Sequence, residues 1–243
     1  MLLSVAWPAP PSRGQGPGAP AGPAGRTIVM LGDSLTAGGE WDALDTGATV
    51  INEGVSGDGY SRILARLDQT IAAKPDVVFL QVGVNDLSHV RDLGQILDGH
   101  VAIWGELRRA LPNLRLIVCS LIPTNEKKNK YLKPGTNQKI QKVNELLSAK
   151  AAGENLEFID LYSPMAGPDS GLPLNLTFDG LHLTKEGQLI WLGVLRDYLA
   201  LHKDGTTAAS AGAAPAAPPG TAPSGSSAPS ASSDSSASSD SSD

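Results

Sequence analysis

Apolar side chains along this chain follow two alternating rhythms. Five short runs are almost continuously hydrophobic: Thr27 to Leu31, Thr49 to Asn52, Val77 to Val82, Leu114 to Cys119 and Leu156 to Asp160. Between and after them, apolar residues recur at helical spacing over Tyr60 to Ala73, Leu93 to Ala110, Asn137 to Ala152 and Lys185 to Leu201. Unbroken apolar runs are what strands look like when both faces of a sheet are covered, and their alternation with helices marks a parallel sheet. The expected fold class is therefore α/β, with five parallel strands. Lys74-Pro75 ends the first helical segment, because proline disfavours helix in the residue before it, and Gly153 is placed to cap the third. One segment breaks the rhythm: Leu161 to Leu183 has prolines, glycines and no clear period. An irregular stretch of that length within a compact domain is usually functional or mobile, the alternative being a surface excursion that merely connects the last strand to the last helix.

The ends of the 243-residue chain are built differently from its middle. Residues 1–25 are mainly Pro, Gly and Ala, and residues 204–243 are mainly Ala, Ser, Pro and Gly with a few threonines and aspartates. Neither has the apolar side chains to offset the entropy of ordering, so both read as flexible tails around one folding domain, 26–203. Met1 to Trp7 resembles the remnant of a signal h-region, although no Lys or Arg precedes it. Together with the Pro-rich leader and the Ser/Ala tail, it favours a secreted or periplasmic location over a cytoplasmic one.

Four of the acidic residues behind the net charge of -6 are tail aspartates, which leaves the rest of the chain close to -2. Such a balance offers no electrostatic reason for a nucleic-acid partner. No apolar run approaches the roughly 20 residues of a membrane span. A single cysteine, Cys119, rules out an intrachain disulfide and any thiol-rich metal site, and its place inside an apolar run predicts a buried, unreactive thiol.

The candidate chemistry lies just past the strands. Gly32-Asp33-Ser34-Leu35 follows the first, Gly54 the second, and Gly83-Val84-Asn85-Asp86 the third. In a flavodoxin-like strand order, 2-1-3-4-5, these three strands are adjacent, and their loops open onto the crevice where such sheets bind ligands. A serine hydroxyl needs a base to remove its proton, and the base needs an acceptor to hold its tautomer. Asp179-Gly180-Leu181-His182 offers both, so the catalytic candidates are Ser34, Asp179 and His182. The oxyanion formed on a carbonyl under attack needs fixed donors, for which the candidates are the N–H groups of Ser34 and Gly54 and the Asn85 amide.

These four blocks resemble those of the SGNH hydrolases, also called the GDSL esterase/lipase family. They match in order over about 26–203, with Asn52-Glu53-Gly54 as the glycine block. The resemblance implies a three-layer α/β/α sandwich, an acyl-enzyme mechanism, and neither a metal nor an organic cofactor. Phe158 to Tyr162 and Thr177 to Leu183 look most like the branch with sialate O-acetylesterases and platelet-activating-factor acetylhydrolase-like proteins. That points to a small-molecule or carbohydrate ester as partner, with a short, typically acetyl, acyl group. Lysophospholipase or thioesterase activity within the same family, and a non-catalytic carbohydrate- or envelope-binding protein on this fold, are the alternatives. A flavodoxin-like nucleotide or electron-transfer module fits less well, because Gly32 to Gly39 has neither a dinucleotide fingerprint nor a P-loop lysine. The acyl length, leaving group and oligomeric state are left open.

Four further features have ordinary readings. Lys127, Lys128, Lys130, Tyr131 and Lys133 after the fourth strand read as a solvated charge run, the alternative being contact with an anionic substrate. Trp41 reads as packing or as a wall of the acyl pocket, and His89 as a rim residue. Asp33 is expected to hydrogen-bond its own turn rather than to titrate in catalysis.

Overall fold

The computed structural model describes residues 25–44, 47–90 and 92–202. The leader up to Ala24 and the tail from Asp204, with the location they suggest, lie outside these residues. Five parallel strands, β1 (Thr27–Gly32), β2 (Thr49–Gly54), β3 (Val77–Gln81), β4 (Arg115–Cys119) and β5 (Glu157–Ile159), form one sheet in the order β2-β1-β3-β4-β5. Register is set by pairs such as Gly32 with Gly54 and Gly32 with Gln81, so the ends of the first three strands are level. This is the predicted order, and it brings the first three candidate loops to one edge.

Every residue of β3 is buried, as are Ile28 to Gly32 of β1 and Leu116 to Cys119 of β4. Helices cover the sheet, giving the three-layer α/β/α sandwich. α4 (Gly94–Ala110) packs through Ile96, His100, Ile103, Trp104 and Leu107. α5 (Thr136–Gly153) packs through Ile140, Val143, Leu147 and Ala151, and α7 (Lys185–Leu201) through Trp191, Leu192 and Leu195. Each set repeats at helical spacing, which is why a sheet can bury one stripe of each. Gly153 is the last residue of α5 rather than its cap, and left-handed backbone follows at Asn155. Cys119 is buried, which pushes its thiol pKa up and leaves it protonated. No described helix is long and apolar enough to cross a membrane.

Two elements differ from the sequence reading. The single helix expected over 60–73 is two, α2 (Tyr60–Ala65) and α3 (Leu67–Ala72), broken at Arg66, where φ is -120° and ψ is 12°. Arg66 turns inward. Its guanidinium bonds the Asp58 carboxylate at 2.7 Å and the carbonyls of Gly32 and Glu53 at 3.1 and 2.8 Å. A half-buried arginine tied to the ends of β1 and β2 sets the backbone here, and helix propensity yields to it.

The irregular segment 161–183 is also more ordered than expected. It holds a short helix, α6 (Tyr162–Met165), a 3-10 turn at Leu174–Leu176 and a bridge between Thr177 and Leu183. Leu161, Met165, Leu172, Leu176, Leu181 and Leu183 are all buried and anchor it to the core.

Candidate active site

Directly after β1 comes a four-residue helix, α1 (Ser34–Ala37), which the sequence pattern had not suggested. Asp33 starts it by accepting the Leu35 N–H at 2.9 Å through Oδ1, the usual work of an N-cap aspartate. The far end is tied down by Asn52, whose Nδ2 donates to the Ala37 carbonyl at 3.2 Å, and by Gln188 of α7, which donates to Gly38 at 2.6 Å. Trp41 is buried, donates to the Thr36 carbonyl at 2.8 Å and meets the Trp191 ring edge-on at 5.1 Å. It is packing, not a wall of the acyl pocket.

Ser34 Oγ lies 2.9 Å from His182 Nε2, and His182 Nδ1 lies 2.6 Å from Asp179 Oδ2. Residues 148 positions apart are thus joined in one hydrogen-bonded chain. A carboxylate can only accept, so Nδ1 carries the ring proton and Nε2 is left to accept from the serine hydroxyl. The turn is held by its own side chains. Asp179 Oδ1 accepts the N–H groups of Leu181 and His182 at 2.9 and 2.7 Å. The Thr177 hydroxyl donates to the His182 carbonyl at 2.7 Å and accepts the Gly180 N–H at 2.8 Å. Burial pushes the Asp179 carboxyl up, but bonds from the His182 ring and from the His182 and Leu181 N–H groups outweigh it and hold the pKa below the ordinary value.

Asn85 Nδ2 donates to the Asp58 carbonyl at 2.8 Å, which fixes the amide plane, and among the described residues its second N–H has no acceptor. Gly54 is placed differently from the sequence expectation. Its N–H already donates to Asn52 Oδ1 at 2.9 Å, and a Cβ there would collide with the Ala37 backbone. It is a close-packing glycine, holding β2 against α1, and has no hydrogen to offer a substrate. The next glycine, Gly57, has φ of +81°, and where a Cβ would stand the Arg62 guanidinium, 4.0 Å away, is the one neighbour within contact distance among the described residues. Among the described residues no acceptor engages its N–H. Its loop begins where Val55 N–H bonds Gly32 and ends where Asp58 meets Asn85, so Gly57 lies between the serine turn and the asparagine.

Sequence reasoning missed the supports of this site. Asp58 and Arg66 form an ion pair with side chains only 4% and 15% exposed. Asp86 accepts the Tyr60 N–H at 3.1 Å, and burial raises its pKa. A signal existed for Arg66: with Ile63, Leu67 and Thr70 it falls on the apolar stripe of its segment, where an arginine must be paired. His100 is fully buried and its Nε2–H donates to the Val82 carbonyl at 3.0 Å, anchoring α4 to the turn that leads from β3 to Asn85. His89 Nδ1 lies 3.2 Å from the Asn85 carbonyl, at the rim as expected.

Asp33 caps its turn as expected, yet it also carries a strongly shifted pKa. Burial pushes it up to about 7, opposed by the Leu35 N–H and reinforced by the charges of Asp86 and Asp58. Between its unfolded pKa of about 3.9 and about 7, the unfolded chain is ionised here and the folded one is protonated. The unfolded state then binds fewer protons, so this group's contribution to stability falls as pH rises through that window. His100, which burial pushes down to about 4, acts with the opposite sign, losing stability as pH falls below about 6.5. Asp33→Asn isolates the first effect. Its melting temperature is expected to rise relative to wild type from pH 4 to pH 7, by the equivalent of a few kcal/mol at most. A difference independent of pH would show that Asp33 ionises normally in the fold.

Among the described residues, no group of three or more His, Cys, Asp or Glu side chains is arranged to hold a metal ion. A family model described as GDSL-like lipase/acylhydrolase matches residues 30–190. Platelet-activating factor acetylhydrolase IB subunit alpha1 of Pongo abelii is 29% identical over 167 residues, covering 66% of this chain and 69% of that protein. A GDSL-like lipase from Bacteroides thetaiotaomicron superposes with a TM-score of 0.64 at 22% identity, covering 72% of this chain and 88% of the other. An acetyl xylan esterase superposes at 0.59 with 21% identity, covering 71% and 99%. The chain belongs to the GDSL-like lipase/acylhydrolase family, the SGNH hydrolases, and is an ester-cleaving hydrolase.

Proposed function

We propose that this chain is a serine ester hydrolase working through an acyl-enzyme, with Ser34 as nucleophile, His182 as base and then acid, and Asp179 holding the imidazole. The observation that carries the reading is the unbroken relay from Asp179 Oδ2 through both ring nitrogens to Ser34 Oγ, at 2.6 and 2.9 Å. His182 Nε2 takes the hydroxyl proton as Oγ attacks the carbonyl carbon. The same nitrogen then gives that proton to the departing alcohol, and water enters to release the acid by the reverse path. The oxyanion would be met by the Ser34 N–H, the free N–H of Asn85 and the Gly57 N–H, the last in place of Gly54.

Asn85→Ala is expected to lower kcat by about 10²- to 10³-fold, the usual effect of losing one such donor, with KM much less changed. A KM effect alone would place Asn85 in ground-state binding.

The acyl group we propose is short, typically acetyl, and the alcohol a small molecule or carbohydrate. An acetylhydrolase among the relatives and an acetyl xylan esterase among the structural neighbours support this choice. Acetyl, butyryl, octanoyl and palmitoyl p-nitrophenyl esters, run beside an O-acetylated sugar and a lysophospholipid, test it. The expected order falls steeply beyond butyryl, and a preference for octanoyl or longer would reverse the assignment.

A further inference from the structure

The proton given to the leaving group comes from His182 Nε2, so whatever borders that imidazole borders the alcohol half of the ester. Two aromatic rings do. Phe178 stacks on His182 with centroids 5.7 Å apart and planes 14° apart, and Tyr131 meets it edge-on at 6.5 Å. Both are large and unusually exposed, Phe178 by 50% and Tyr131 by 66%. Burial of either ring by something would be favourable, and at an ester-cleaving site the candidate is substrate.

Tyr131 belongs to the basic loop after β4, and the structure changes how that loop reads. It is fastened to the Asp179–His182 turn: Asn125 N–H donates to the Gly180 carbonyl at 2.8 Å, and a Cβ on Gly180 would collide with the Asn129 backbone. Lys128 Nζ reaches within 3.5 Å of the Thr177 carbonyl, two residues before Asp179. Lys127, Lys128, Lys130 and Lys133 are exposed, and among the described residues none forms an ion pair. The loop's own carboxylate, Glu126, is taken up by the N–H groups of Gly135 and Asn137 at 2.9 and 2.7 Å. Asp169, across an adjoining cleft of about 470 Å³ that Lys127 and Lys128 also line, accepts the Gly171 N–H at 3.2 Å. These bonds leave the carboxylates charged, but the four lysines still outnumber the three carboxylates around the site, Glu126, Asp169 and Asp179, on a domain that is negative overall.

We infer that Tyr131, Phe178 and Lys128 form an alcohol-side subsite that selects esters whose alcohol carries a ring and a negatively charged group, a carboxylate or a phosphate. This rests on the proposed esterase reading and adds to it which alcohol the site prefers. The ring lies against the aromatic faces, and the anion is met by Lys128 with its neighbours on the loop.

Two matched acetyl esters, 4-carboxyphenyl acetate and its neutral carboxamide counterpart, test the inference. The anionic ester is expected to have a kcat/KM about tenfold higher at low ionic strength, carried by KM, with the advantage falling severalfold as salt rises to about 0.3 M. Lys128→Gln should reduce that ratio and Lys128→Arg restore it. Tyr131→Ala should raise KM for both ring esters relative to vinyl acetate, and Tyr131→Phe should restore it. Equal kcat/KM for the two esters, or a preference for the neutral one, overturns the inference while leaving the esterase reading intact. Failure to hydrolyse any acetyl ester overturns both. Acetylated methyl glucuronoside and an acetylated sugar phosphate, each set against acetylated methyl glucoside, identify the anion; no gain over the glucoside from either also overturns the inference.

Discussion

Ser34→Ala is expected to lower kcat for p-nitrophenyl acetate by about 10⁵-fold or more, while the melting temperature moves by no more than about 4 °C. The size of the first effect follows from the chemistry: among the described residues Ser34 Oγ is the group hydrogen-bonded to His182 Nε2, and without it no acyl-enzyme forms there. The smallness of the second follows from the packing. Ser34 is only partly buried, and among the described residues its hydroxyl has one partner, 2.9 Å away, so the fold loses about one hydrogen bond. His182→Ala should cost about as much, and the double variant little more than either, because the two act as one unit. Steady-state rates with a thermal melt on each variant check this. A residual rate within about tenfold of wild type would put the nucleophile elsewhere.

The second large effect is expected at Asp179. Asp179→Asn should lower kcat by about 10⁴-fold with the fold preserved. Oδ1 is fixed by the N–H groups of Leu181 and His182, and an asparagine keeps its oxygen there because only oxygen can accept them. Its NH₂ is then forced to face His182 Nδ1, where the wild type has Oδ2. Two donors cannot face each other, so the ring proton moves to Nε2 and the base can no longer accept from Ser34. In the wild type, the depressed pKa of Asp179 keeps the carboxylate ionised throughout the neutral range. Its contribution is present above the ordinary aspartate value and lost only as pH falls through the lower folded one. The pH profile of kcat in the variant is the check. A loss of less than about tenfold would mean that the carboxylate is dispensable for orienting the ring.

Much of this reading was accessible from the chain alone, and unevenly so. β1, β3 and β4 are written in runs such as Ile28 to Leu31, Val77 to Leu80 and Leu116 to Cys119, where a strand buried on both faces leaves little room for polar residues. The stripes of α4, α5 and α7 repeat at 3 and 4 residues for the same reason. Ser34, Asn85, Asp179 and His182 could be named because each follows a strand or a turn at a recognisable distance. Gly54 was named on the same logic and does not hold up as a donor. Gly54 ends β2 and Gly57 follows three residues later, and which one has a free N–H depends on the Asn52 side chain.

The sequence by itself determined the alternation of strands and helices, the buried faces and the residue types able to do ester chemistry, because burial and periodicity are local properties of the chain. Tertiary structure decided what depends on residues meeting across it. The Arg66 guanidinium breaks a helix to reach the carbonyls of β1 and β2. Gly180 admits the backbone of the basic loop, which brings Tyr131 to the imidazole. Burial among other carboxylates raises the pKa of Asp33. Each of these depends on distance and dielectric between remote segments, and those quantities exist only once the sheet has closed.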